Sequence, residues 1–268
     1  MKTKKEYLKY TENWHNLFSK YRAVDVERLA LEISKHLNSG FSFSISRDEY
    51  NIMKNKAIEP TSVHYYFGIS EEGKFKILIL DNIADAHKIE AEILEKDLTS
   101  YIEELDLSNL ENYIGGDKKL GTFENTISMN ESLNRAFRWK LFSQNWLVDK
   151  FNSVHERLFF PLIVNPFQDL KDIFEPNSNT DKVSQTTCNH AHHFFGLKQV
   201  GTGKITNNDH GRNLEYSVGK LSNYTIDIIV TNITKMDSTK NKYEDDSCPC
   251  YPKGMAKKDY FLMPKFDS

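Results

Sequence analysis

The sequence has few cysteines, no long apolar run and no large excess of charge. Only three of its 268 residues are cysteine, and an odd, small count argues against a disulfide framework. The cysteines are therefore expected to act as thiols, thiolates or metal ligands. The longest apolar run covers residues 77–80, far short of the roughly 20 residues that cross a bilayer. We therefore expect no membrane partner.

The charge balance argues against nucleic acid as a partner. The formal net charge is −3, and the basic runs at residues 2–5, 118–119 and 257–258 are short. A nucleic-acid-binding protein usually carries a basic excess or stripe. The basic start is not followed by an apolar segment, so we expect no signal peptide. Together these absences predict a soluble, cytoplasmic protein.

Aromatic residues are abundant, at 12% of the chain, which argues against a disordered protein. Apolar residues at three- and four-residue spacing predict helices. The predicted helices cover residues 5–38 as two segments, 84–104, 130–155 and 166–174. Ser46 and Glu49 match a capping box, which predicts a short helix from that point to about Lys56.

Alternating or β-branched runs predict strands at residues 41–45, 63–69, 75–80, 213–218 and 224–231. Gly73 lies in the short link between the second and third of these, as in a hairpin turn. The run 158–164 contains Pro161, so an edge or irregular segment is expected there rather than a central strand.

These elements predict an α+β protein. N-terminal helices lead to a small antiparallel sheet, a central helical block follows, and the C-terminal part is rich in strands. Two modules are expected, residues 1–125 and 126–268, although the chain is also short enough to form one domain. Polar segments at 175–187 and 235–247 are the best loop candidates.

Two strand-like segments resemble each other. Residues 64–69, "HYYFGI", align without gaps with residues 192–197, "HHFFGL", at a separation of 128 positions. One interpretation is a duplicated hairpin unit, each copy preceded by helices. The other is a coincidence between two aromatic strands.

The segment "TTCNHAHHFFG", residues 186–196, has the densest set of metal-binding side chains. On a strand, Cys188, His190 and His192 would share one face, about 6 to 7 Å apart at second neighbours, with His193 on the other. On a helix, Cys188 and His192 would share a face instead. Either geometry allows at least two ligands for one metal ion.

Cys248 and Cys250 supply two further thiols, and His210 is a substitute or additional imidazole. Thiolate and imidazole ligands favour zinc, in a closed structural site or an open catalytic one. The competing hypothesis is that these histidines are ordinary strand or surface residues and the cysteines small buried hydrophobic groups. A thiol nucleophile formed by Cys188 and a histidine is a further alternative.

The sequence therefore predicts a soluble, non-enzymatic binding or interaction protein. Its aromatic strands would line a groove for a protein or small-molecule ligand that the sequence does not identify. A structural zinc site is an additional hypothesis, and the alternative is that the protein holds no cofactor. The alternative function is a metal-dependent hydrolase that uses the Cys/His cluster around residues 188–210. No motif decides whether the protein is an enzyme.

Overall fold

A computed structural model describes residues 2–21, 25–89, 92–99, 129–153, 162–175, 189–199, 224–231, 243–244, 248–250 and 261–262. The statements below concern these residues. Their helices and antiparallel strands form an α+β fold, as the sequence predicts.

The N-terminal half begins with helices α1 (Lys4–Tyr21) and α2 (Val26–Leu37). Strand β1 (Ser42–Ser46) then runs directly into helix α3 (Arg47–Lys54), where Ser46 and Glu49 form the predicted capping box. The remaining elements of this half are a hairpin, a short helix and a short strand: β2 (Ser62–Ile69), β3 (Phe75–Asp81), α4 (Asn82–His87) and β4 (Leu94–Lys96). Gly73 has φ +80° in the hairpin turn, a conformation that favours glycine.

The C-terminal half begins with the long helix α5 (Met129–Ser153). It continues with a strand and a helix that again follow each other directly, β5 (Leu162–Pro166) and α6 (Phe167–Phe174). Two long strands and two short ones complete it: β6 (His190–Gln199), β7 (Tyr224–Thr231), β8 (Tyr243–Glu244) and β9 (Cys248–Cys250).

The strands form two antiparallel sheets that combine both halves of the chain. One sheet has the order β1-β6-β7-β8, and the other has the order β4-β3-β2-β5-β9. Strand β1 of the first half thus pairs with β6 of the second, and β5 of the second pairs with β2 of the first. Each half donates its first strand to the other half's sheet.

The two halves repeat one β-α-β-β unit. Strand β1 and helix α3 have the same lengths as β5 and α6, which lie 120 residues later. His64 pairs with Val164 and Leu80, and His192, 128 residues later, pairs with Ser44 and Thr231. The similarity between HYYFGI and HHFFGL therefore marks equivalent central strands of a structural repeat.

The repeat extends to the helices that precede each unit. A Cβ atom added to Gly68 of β2 would lie 2.9 Å from the Cβ of Tyr10 on α1. One added to Gly196 of β6 would lie 2.9 Å from the Cβ of Arg135 on α5. Each glycine therefore allows a helix to lie directly on its central strand.

The main hydrophobic core lies between the sheets and includes side chains of α1, α2, α5 and α6. Trp14 contacts Phe67 at 5.6 Å between ring centroids, and Trp139 contacts Phe195, the equivalent of Phe67, at 5.5 Å. A second cluster on the outer face of the five-stranded sheet joins Tyr66 and Leu78 to the C-terminal residues Phe261 and Leu262.

Two local predictions are wrong. Within the predicted helix 84–104, the described residues form the end of helix α4 and strand β4. Lys88 takes a left-handed conformation after six helical residues, and residues 94–96 pair with β3. Strand β5 is not an edge strand but lies between β2 and β9. It begins after Pro161, and Pro166 occupies its last position, so the ladder between them is not interrupted.

The predicted strand 213–218 and most of the two predicted loops lie outside the described residues. The boundary between the predicted modules 1–125 and 126–268 also lies there, so that division stays a prediction. Strands from the two sides of this boundary nevertheless pair with each other. In the part of the chain that the structure describes, no helix has the length and apolar character needed to span a bilayer.

Candidate functional site

Two of the six predicted metal ligands lie together on strand β6. His190 is exposed and His192 is half-buried, and their ring centroids are 6.2 Å apart. Side chains two positions apart share one face of a strand, as the sequence predicts. His193 points to the opposite face and is fully buried.

Of the other four predicted ligands, the two with a described backbone position belong to the other sheet. Cys248 and Cys250 lie on β9, which pairs with β5 in the other sheet, opposite Val164 and Leu162. Cys188 and His210 lie outside the described residues. Among the residues with a described position, no group of three or more His, Cys, Asp or Glu side chains is arranged to hold a metal ion.

His193 lies in the core, where the two halves of the chain contact each other. Its Nε2 lies 3.1 Å from the hydroxyl of Tyr65, which is its equivalent residue in the first repeat. Its Nδ1 lies 3.1 Å from the carbonyl oxygen of Ala191, so Nδ1 donates and Nε2 accepts from Tyr65. Phe43 stacks on the imidazole at 4.7 Å between ring centroids.

Burial keeps both members of this pair neutral. It lowers the pKa of His193 to about 3, with a smaller contribution from neighbouring His192. Burial also raises the pKa of the Tyr65 hydroxyl well above its usual value. Burial in the apolar core disfavours the charged form of an imidazole. The hydrogen-bond pattern of His193 is that of a core residue and not of a metal ligand.

A second buried network, which the sequence patterns do not predict, lies on the outer face of β2. His64 Nδ1 is 2.7 Å from Asp85 Oδ2, and the Tyr66 hydroxyl donates to the same oxygen at 2.7 Å. The backbone N–H of Phe261 donates to Asp85 Oδ1 at 2.8 Å. Ser62 Oγ lies 3.1 Å from His64 Nε2.

The only local signal for this network is the alternation of Ser62, His64 and Tyr66, which places three polar groups on one face of a strand. Asp85 is 21 residues from His64 and is positioned by helix α4. The N-cap residue Asp81, whose carboxylate accepts from the backbone N–H groups of Ile83 and Ala84, begins that helix.

A buried ion network anchors helix α5 to strand β7. Arg135 donates from Nη1 to Asp227 Oδ2 at 2.9 Å and from Nε to Glu131 Oε1 at 2.7 Å. The side chains of Arg135 and Asp227 are at most 1% exposed. A paired buried charge is a structural feature, because losing one partner would leave the other uncompensated.

The aromatic strands do not line a groove, and that prediction is wrong. Tyr65, Tyr66 and Phe67 of β2 are fully buried, and Phe194 and Phe195 of β6 are at most 5% exposed. All three tryptophans are buried as well. Both faces of each central strand are covered, one by the other sheet and one by helices or the C-terminal residues 261–262, so these rings serve the core.

The exposed large hydrophobic side chains lie elsewhere. Among the described residues they are Leu31 on α2, Ile52 and Ile58 in and after α3, and Phe137 and Leu141 on α5. Helices α2 and α5 pack against each other, and Asn38 Nδ2 donates to Ser143 Oγ at 2.9 Å across their contact.

Comparison with family models, with curated proteins and with solved structures gives no match for this chain.

Proposed function

We propose that the protein is a binding or interaction protein whose contact surface is the outer side of the helix pair α2 and α5. The observation that carries the proposal is the exposure of Phe137 and Leu141, at 36% and 60%. They are four residues apart and therefore neighbours on one helix face. Leu31, 38% exposed, lies on the adjoining helix.

Adjacency distinguishes these residues from ordinary exposed hydrophobic groups. Single apolar side chains are common on protein surfaces, whereas neighbouring ones on a polar background typically mark interaction sites. Charged residues of α2, Glu32 and Lys35, form a salt bridge on the same helix as Leu31. A partner protein with an apolar patch and a polar rim fits this composition.

The test is a double variant in which Phe137 and Leu141 are both replaced by Gln, a residue with good helix propensity. The matched control is Ile52→Gln with Ile58→Gln, which removes two exposed hydrophobic side chains elsewhere. A protein captured by the wild type is purified, and its affinity for all three proteins is measured by calorimetry. We expect at least a tenfold loss for the α5 variant only. Equal affinities for all three proteins, or no specific capture, would refute the proposal.

Zinc binding by the predicted cluster is a second proposal, with a structural role first and metal-dependent hydrolysis as its alternative. It is supported by the shared face and spacing of His190 and His192. Imidazole nitrogens at this spacing can converge on one ion. Cys188, Cys248, Cys250 and His210 stay predicted ligands.

Elemental analysis of protein purified without added metal tests this second proposal. We expect about one zinc ion per chain in the wild type, as a single site requires. Replacing His190 and His192 with Gln should remove it, whereas His87→Gln, at an exposed histidine of α4, should not. A clearly substoichiometric zinc content in the wild type would reject the site.

A further inference from the structure

We infer that Ser62 is an activated nucleophile, with His64 as its general base and Asp85 as the carboxylate that orients the imidazole. The hydrogen bonds run from Ser62 Oγ to His64 Nε2 at 3.1 Å and from His64 Nδ1 to Asp85 Oδ2 at 2.7 Å. This order of atoms is the one that activates serine in acyl-transfer sites. The inference uses none of the residues of the proposed binding surface and does not depend on it.

The protonation pattern of His64 follows from its partners. A carboxylate only accepts hydrogen bonds, so Asp85 requires the proton of a neutral His64 to be on Nδ1. The lone pair of Nε2 then faces the Ser62 hydroxyl and can take its proton. A nucleophile in hydrogen-bonding contact with a base that a third group orients is the arrangement that nucleophilic catalysis requires.

Asp85 is held rigidly in place. Besides His64, it accepts hydrogen bonds from the Tyr66 hydroxyl at 2.7 Å and from the backbone N–H of Phe261 at 2.8 Å. These donors fix the carboxylate, which in turn fixes the imidazole plane. Such fixed neighbours are what keeps reacting groups in a productive geometry.

Exposure changes along the network in the direction that catalysis needs. Asp85 and His64 are 2% and 6% exposed, whereas Ser62 is half-buried at the start of strand β2. Asn82 lies beside it and accepts the backbone N–H groups of Thr61 and Ser62 at 2.9 and 3.2 Å. The nucleophile is thus the member of the network that a small substrate reaches first.

The structural repeat provides an internal comparison. In β6 the residues equivalent to Ser62, His64 and Tyr66 are His190, His192 and Phe194, in the same strand register. The second repeat keeps a histidine at the position of His64 but has His190 and Phe194 where the first repeat has Ser62 and Tyr66. The fold therefore does not require a serine or a tyrosine hydroxyl at these two positions, which leaves a specific chemical role for them.

The reaction class is acyl transfer from a small carboxylic ester. Ser62 Oγ attacks the carbonyl carbon, His64 Nε2 takes the hydroxyl proton, and the new Oγ–C bond replaces the bond to the departing alcohol, which leaves with that proton. Water then releases the acid by the reverse proton path. A fluorophosphonate reports the first half of this sequence, because an Oγ–P bond forms as fluoride leaves.

The test is to treat the full-length protein with a fluorophosphonate and to locate the adduct by mass spectrometry. We expect one adduct per chain, on Ser62, and none there in Ser62→Ala. His64→Gln should react at least about a hundredfold more slowly, the usual scale of general-base assistance. Ser39→Ala, at an exposed serine that follows helix α2 and lies outside the network, should react at the wild-type rate.

Two outcomes would overturn the inference. One is a folded wild-type protein that stays unmodified at Ser62 while a serine hydrolase standard reacts completely, a result that needs no variant. The other is a His64→Gln protein that is modified at the wild-type rate. If the network only stabilises the fold, Ser62→Ala and Tyr66→Phe will lower the midpoint of unfolding and no adduct will form.

Discussion

Strand alternation gives neighbouring histidines of one segment opposite environments. His192 is half-buried on one face of β6, while His193 lies in the core and forms a hydrogen bond with Tyr65. The sequence predicts this division, because successive side chains of a strand point to opposite faces. It does not predict that the buried partner of His193 is the equivalent residue of the other repeat, because the two residues are 128 positions apart.

We predict that His193 makes the protein less stable in mild acid. Its folded-state pKa is lowered to about 3, below the roughly 6.5 of an unfolded histidine. Between these values the unfolded chain binds more protons, so stability is full above pH 6.5 and falls as the pH decreases. The loss from this residue should be about 1.4 kcal/mol per pH unit within the window.

Urea unfolding of the wild type and of His193→Gln between pH 7.5 and 4.5 measures this effect. Glutamine offers an amide oxygen to Tyr65 and does not titrate, so its stability should depend less on pH. His15 and His36, whose pKa values burial also lowers, contribute equally to both proteins. Parallel curves for the two proteins would show that His193 does not carry the pH dependence.

At the level of the site, local pattern and tertiary structure contribute differently. The shared face of His190 and His192 follows from a spacing of two. The relation of Ser62 and His64 to Asp85 cannot be found in this way, because helix α4 brings the carboxylate to them from another part of the chain. The same limit applies to Cys248 and Cys250. Their strand pairs with β5 and so belongs to the other sheet, not to the sheet that contains β6.

At the scale of elements, the pattern of apolar residues predicts most helices and strands but not where a neighbour overrides it. Strand β7 and the capped helix α3 match their predictions closely. The predicted helix 84–104 fails because its apolar spacing also suits a short helix followed by a strand. Pairing with β3 decides for β4, and such pairing is not visible in a local window.

We predict that alanine at Gly68 or at Gly196 destabilises the fold by about 1 to 3 kcal/mol, the usual range for overpacking. The added Cβ would lie 2.9 Å from the Cβ of Tyr10 or of Arg135. Because a Cβ atom does not move when its side chain rotates, a change of rotamer cannot relieve this clash. Helix α1 or α5 would have to move away from its strand. Chemical denaturation of each variant measures the change.

The control is Gln199→Ala, at the exposed end of β6, for which we expect a change below about 0.5 kcal/mol. Similar effects at Gly68 and Gly196 would agree with equivalent roles of the two glycines. A neutral effect at both positions would contradict the close helix–strand packing.

At the scale of the whole molecule, the two repeats are interlocked by exchange of their first strands. The sequence shows this repeat only in β2 and β6, where both copies place aromatic residues and a glycine at matching positions. The units β1-α3 and β5-α6 match in length but not in residue type. The sequence of β1 is SFSIS and that of the equivalent strand β5 is LIVNP. Equivalent backbone positions tolerate different side chains when each copy is packed by different neighbours.

Strand exchange predicts one cooperative structure rather than two independent modules. Removing either half would strip a strand from the other half's sheet, β1 from β6 or β5 from β2. The buried contact between Tyr65 and His193 would be lost at the same time. Both halves should therefore unfold together, although the chain is longer than most two-state proteins.

Fluorine NMR of the wild-type protein labelled with 5-fluorotryptophan tests this claim most directly. Trp14 reports on the first repeat, and Trp139 and Trp146 report on the second; all three are buried. The interlocked fold predicts that the three native resonances disappear at one common urea midpoint. A midpoint for Trp14 that differs from the one shared by Trp139 and Trp146 would contradict it.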